Sequence, residues 1–253
     1  MSEPRGKVRV EPSHKRVRIV FGAEVIADSD DALYVWEGPW YPQYYLPIGD
    51  IADGVLVDTA TRTRSPSRGS AHHFTVRAGG REAPDAAWTH PGSPIPELVG
   101  RVRFDFDAMD AWFEEDEEIF VHPRNPATRV QILPSSRHVV IALDGAVLAT
   151  STRPTLLHET GLPRRIYVPK LDVRMGLLEP SATTSRCPYK GTARYWSLPG
   201  VGDIAWSYPV PVRESAPIAG LVAFFDELVD VTLDGVAQPR PTSRFVRAGR
   251  VEL

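Results

Sequence analysis

The stretch Ser185-Arg186-Cys187-Pro188-Tyr189-Lys190-Gly191-Thr192-Ala193-Arg194-Tyr195-Trp196 has a twin 122 residues earlier, Thr63-Arg64-Ser65-Pro66-Ser67-Arg68-Gly69-Ser70-Ala71-His72-His73-Phe74. The later copy holds the only cysteine and one of four lysines. In the earlier copy serine replaces the cysteine and arginine the lysine. Sliding the chain by 122 residues aligns 17–74 with 139–196 without a gap, and 17 of those 58 pairs are identical. Self-similarity of that order marks a duplication.

Working outward, the register slips by a few residues but the likeness continues. Asp85-Ala86-Ala87-Trp88-Thr89-His90-Pro91 answers Asp203-Ile204-Ala205-Trp206-Ser207-Tyr208-Pro209, and Gly100, Phe104 and Asp110 answer Gly220, Phe224 and Asp230. Each unit is then about 110 residues, a normal small-domain size. We expect a first repeat over 15–126 and a second over 137–241, with the proline-bounded stretch 127–136 as linker and 1–14 as a loose terminus.

Within each unit the signals are strands. Val17-Arg18-Ile19-Val20-Phe21 turns at Gly22-Ala23 and returns through Glu24-Val25-Ile26-Ala27. The same figure recurs from Val139 with the favoured Asp144-Gly145 turn. Twenty-four prolines and 19 glycines suit short strands punctuated by turns. No segment offers a long, capped amphipathic helix; the best candidates, 97–102 and 217–224, read equally as strands. The fold class is therefore mainly β with little helix: two tandem homologous small domains of identical strand order, expected in a pseudo-twofold arrangement.

Composition bounds the function. At 42% hydrophobic and 24% charged residues the chain is an ordinary globular one. A net charge of −3 gives no drive toward nucleic acid. One cysteine excludes a disulfide framework and cysteine-rich zinc sites, and we expect no metal. The start Met1-Ser2-Glu3-Pro4-Arg5-Gly6-Lys7 lacks an apolar signal region, and the longest compact apolar run, 221–225, is too short for a membrane span. We expect a cytoplasmic protein without membrane or nucleic-acid partners. The excess of arginine over lysine reads as the codon usage of a GC-rich bacterium.

Cys187 and Lys190 are the candidate catalytic pair: a thiolate nucleophile needs a nearby positive charge, which a lysine across a Pro-Tyr turn supplies. A lone cysteine is equally a small buried hydrophobe. The second repeat offers only His138 and His158 as a base, and His158 alternates with Glu159 on a presumed strand, so only one of these two faces the site. Lys190 with Gly191 also suits an anion, and arginine in the twin keeps the charge. Glu159, Tyr167 and Asp172, matched by Glu37, Tyr45 and Asp50, survive in both copies as ligand-binding or structural groups, with Glu159 pairing an arginine such as Arg153 or Arg186. The candidate binding set is Glu159, Tyr167, Asp172, Arg186, Gly191 and Tyr195. Three functions fit: binding of a small polar or anionic molecule in the second repeat, an enzyme using Cys187 and Lys190, or a purely structural pair. No cofactor is indicated.

The motif from Thr184 to Trp196, preceded by His158-Glu159-Thr160-Gly161-Leu162-Pro163 and followed by Asp203 to Pro209, resembles the family of the domain of unknown function 427, and the resemblance covers both repeats. It implies a compact, β-rich, tent-like domain. A nucleotidyltransferase label circulates for this family. That chemistry asks for a carboxylate pair soon after a Gly-Ser turn, but Gly69-Ser70 and Asp105-Phe106-Asp107 lie about 35 residues apart, and the second repeat has neither. The first repeat departs from the motif at Ser65, Ser67 and Arg68, which marks it as the degenerate copy. The acidic run 114–118 reads as a solvated hairpin tip.

Overall fold

The computed structural model describes residues 8–247 and 249–252, and the chain divides into two compact units between Asn125 and Pro126. Each unit holds a seven-stranded and a four-stranded antiparallel sheet. In the first, the large sheet runs in the order Arg9–Pro12, Leu33–Trp36, Gln43–Pro47, Arg101–Phe104, Arg81–Thr89, Gly69–Ala78, Leu56–Ser65. In the second, the order is Val130–Pro134, Thr155–Glu159, Arg165–Val168, Val222–Phe224, Gly202–Ser207, Gly191–Leu198, Glu179–Cys187. The strand order is the same, as expected from the repeat. Even the irregularities recur: the first strand of each small sheet shifts register at Ile19/Val20 and at Ile141/Ala142.

Two expectations need correction. The stretch 127–136 is not simply a linker, because Val130–Pro134 is an edge strand on Thr155–Glu159. Arg9–Pro12, within the stretch expected to be loose, pairs with Leu33–Trp36 in the same way. Each edge strand carries a proline, which suits an edge because proline cannot donate to a further strand. The ambiguous segments resolve into a 3-10 turn followed by a strand: Pro96–Leu98 then Arg101–Phe104, and Arg213–Ile218 then Val222–Phe224.

Alternation sets the core. Val17, Ile19 and Phe21 from the small sheet of the first unit meet Tyr34, Trp36, Tyr44 and Leu46 from its large one. The intervening Leu33, Val35 and Tyr45 point to the opposite, back face of the large sheet and are buried there with Leu98. In the second unit Val139 and Ile141 meet Ile166 and Val168, while Leu157, Tyr167, Tyr195, Trp206 and Tyr208 form a back-face cluster. A sheet buried on both faces explains why Leu33–Trp36 and Arg165–Val168 read as unbroken buried runs. The acidic run is only partly a solvated tip: Glu114 turns inward and takes hydrogen bonds from Lys15 and, at 2.8 Å, from Tyr44 Oη.

The first unit also has a close backbone contact. A Cβ on Gly79 would lie 1.9 Å from the Gly22 carbonyl oxygen, whereas one on Gly80 would meet nothing within 4 Å; both have positive φ, 55° and 73°. Gly79→Ala is therefore expected to lose roughly 3 kcal/mol or more and Gly80→Ala about 1 kcal/mol, compared by urea denaturation midpoints. Equal losses would show that the turns separate at little cost.

Candidate functional site

The hairpin from Glu179–Cys187 into Gly191–Leu198 places the motif at one end of the back face. Cys187 pairs with Gly191 across the turn, and the Lys190 amide donates to the Cys187 carbonyl at 3.3 Å. Gly191 is required here: its φ is 98°, and a Cβ would approach the Val210 carbonyl oxygen at 3.2 Å. The turn is held from outside by the Val212 amide on the Lys190 carbonyl, 3.2 Å, and by Ser215 Oγ on the Tyr189 carbonyl, 2.7 Å.

So anchored, Lys190 reaches inward and pairs with Glu159; the two side chains are only 10% and 8% exposed. Burial pulls the ammonium down, but Cys187 and Glu159 more than offset it, and its pKa is raised. Tyr167, fully buried, accepts from Trp206 Nε1 at 3.1 Å, and burial pushes its phenol up to about 12. Tyr195 exchanges a 2.6 Å hydrogen bond with Ser185, and Tyr208 is buried beside them. Cys187 is half-buried against this cluster. Glu159, Tyr167, Cys187, Lys190, Gly191 and Tyr195 are thus brought together.

Other predicted residues lie elsewhere. Asp172 accepts from Ser151 Oγ at 2.6 Å and from Arg153, and its twin Asp50 accepts from Ser29 Oγ at 2.5 Å. The shared Ser and Asp form a clasp between a strand and the 3-10 turn after the tyrosine-bearing third strand of the large sheet, which accounts for their presence in both copies. Arg186 is exposed and alternates with Ser185 and Cys187 along the strand. The cation on Glu159 is Lys190, not Arg153 or Arg186. His158 is exposed, as its alternation with Glu159 requires, and so is His138.

Sequence reasoning missed a second buried pair on the same face. Arg165 makes two 2.7 Å hydrogen bonds to Glu227 and stacks its guanidinium 5.5 Å above Trp206. Next to Glu227, Asp226 lines a cavity of about 150 Å³ walled by Pro163, Arg164, Val229, Val231, Gln238, Pro239 and Pro241. Its Oδ1 has no hydrogen-bond partner, and burial pushes its carboxyl up to about 7. The first repeat has Gln43 and Phe106 where the second has Arg165 and Asp226, so the repeat carried no signal for either.

In the first unit Glu37 replaces Glu159. It accepts from Tyr45 Oη at 2.7 Å and pairs with Arg68 at 3.5 Å and Arg103 at 3.3 Å. Among the described residues no three His, Cys, Asp or Glu side chains gather as metal ligands, and no helix is long and apolar enough to cross a membrane.

With this geometry in hand, the comparisons place the chain. The family model of the domain of unknown function DUF427 matches residues 9–115 and 131–235, one match per unit, and the chain belongs to that family as a tandem member. The matched ranges take in most of each unit's edge strand. No curated protein matches the chain.

Two outcomes test these electrostatics. Glu159→Ala strands a buried ammonium and should cost about 3–5 kcal/mol by denaturation, whereas Glu159→Gln with Lys190→Met should cost far less than the sum of the single changes. Additive losses would show the pair to be uncoupled. For Asp226, the folded state holds a proton that the unfolded chain has released, so stability falls as pH rises from about 4 toward 7. Asp226→Asn removes that loss: its stability relative to the unmodified chain should rise by on the order of 4 kcal/mol across that window, and a pH-independent difference would refute the assignment.

Proposed function

We propose that the second unit binds a small polar molecule at the back-face cluster of Glu159, Tyr167, Cys187, Lys190 and Tyr195. The observation that supports this is the buried Lys190–Glu159 pair under a glycine turn. An ion pair removed from water contributes little net stability compared with apolar packing of the same volume, so its retention under a turn braced from outside points to a use beyond folding. The pair sums to zero charge, as does Arg165 with Glu227. The ligand is therefore recognised by hydrogen bonds to tyrosine hydroxyls, ammonium and carboxylate rather than by a net charge.

One observation favours a second reading, an enzyme. Cys187 is half-buried rather than enclosed and sits on the turn that carries Lys190. A nucleophilic thiol there has an ammonium for its charge but no histidine base, since both candidates point to solvent.

Native mass spectrometry of freshly purified protein is expected to show a small-molecule adduct that Lys190→Met removes and Arg68→Met retains. A chain that purifies and crystallises empty, with Cys187 inert to iodoacetamide at pH 8 in the folded state, would leave the cluster structural. Rapid alkylation that Lys190→Met slows at least tenfold would favour the enzyme.

A further inference from the structure

The first unit bears a different charge balance at the corresponding place. Glu37 is met by two guanidinium groups, Arg68 from the hairpin turn and Arg103 from the Arg101–Phe104 strand, and all three side chains are only 16–18% exposed. In the second unit Lys190 stands at the first of these positions and Ala223 at the other, by the register that pairs Gly100 with Gly220. Two cations on one carboxylate leave a surplus positive charge that is largely removed from water. Such a surplus costs free energy unless an anion meets it.

The nitrogen atoms carry the same message. Arg68 Nε has no hydrogen-bond partner, and Arg103 Nε approaches Glu37 Oε1 at 3.3 Å without the alignment of a hydrogen bond. Arg103 is fixed in place by the Trp88 ring, 4.3 Å beneath its guanidinium. His90, 2% exposed, lies against Tyr45 with ring centroids 6.4 Å apart. Its Nδ1 is 3.2 Å from the Ser70 carbonyl oxygen, so Nδ1 holds the proton and donates it. Burial holds the ring below its ordinary pKa, in the neutral form, and Nε2 is then a buried lone pair with no partner. Tyr208 stands here in the second unit.

We propose that the first unit, rather than being a degenerate copy, binds a small oxyanion that carries its own hydroxyl, with Arg68 and Arg103 holding the anionic oxygens and His90 Nε2 accepting from the hydroxyl. Hydrogen phosphate and a hydroxycarboxylate share this chemistry. The assignment does not rest on the proposed site in the second unit, and the two sites differ in charge by one.

The test is isothermal titration of the full chain, at constant ionic strength, with inorganic phosphate, glycolate and acetate as probes. One saturable site is expected for phosphate or glycolate, with acetate, which lacks the hydroxyl, at least about fivefold weaker; the stronger of the first two names the source. Arg103→Met and Arg68→Met should each weaken binding about tenfold, His90→Phe should erase the preference over acetate, and Arg194→Met, at an exposed position on the second unit's hairpin, should change nothing. In the unmodified protein the probe should also shift the His90 Nε2 resonance, a readout independent of whether any variant folds. Absence of saturable binding by all three probes, or binding that survives Arg68→Met with Arg103→Met, overturns the proposal. So does loss of the site in Arg194→Met, which would transfer it to the second unit.

Discussion

A carboxylate buried on the back face of the large sheet, Glu37 in one unit and Glu159 in the other, is the constraint around which each unit is arranged. It sits at the end of the second strand of the large sheet, beside the tyrosine-bearing third strand and away from the core between the sheets, and it demands a cation within reach. A single residue near the hairpin turn supplies one in both copies. The turn can do so only because a glycine with positive φ closes it against a neighbouring loop. Changing the cation from lysine to arginine and adding Arg103 alters the charge of the place without altering the scaffold.

Much of the fold was legible because repetition supplies what a single sequence lacks. Glycine turns, alternating apolar residues and the gapless 122-residue offset predicted the strands and their equal order. The edge strands Arg9–Pro12 and Val130–Pro134 were missed because each is short and ends in proline, a feature that lets an edge avoid further pairing. Arg9–Pro12 has no alternating burial, and Val130–Pro134 alternates only from Val130 to Leu133, a span too short to stand out beside its flanking prolines.

The site was legible in part for a different reason. Glu159, Tyr167 and Lys190, which the structure brings together, were singled out by their persistence or their chemistry, and alternation set His158 and Glu159 on opposite faces. Asp172 was persistent too, but for the Ser151 clasp, since identity between copies preserves architecture as readily as chemistry. Arg103, His90, Arg165 and Asp226 were invisible because their counterparts Ala223, Tyr208, Gln43 and Phe106 share no chemistry with them. What distinguishes the two places is where the copies differ, and a search for likeness passes over it.

Every strand of the four large and small sheets pairs within its own unit, and the matching bulges at Ile19 and Ile141 show that this closure was in place before the copies parted. Each repeat is thus closed in its own hydrogen bonding, so the duplication set two complete sheet pairs in one chain instead of completing a half. A gene so built is free to let selection act on each half alone. In the present chain one unit carries a thiol and a neutral ion pair where the other sets two guanidinium groups on one carboxylate, so one scaffold holds two charge balances within a single polypeptide.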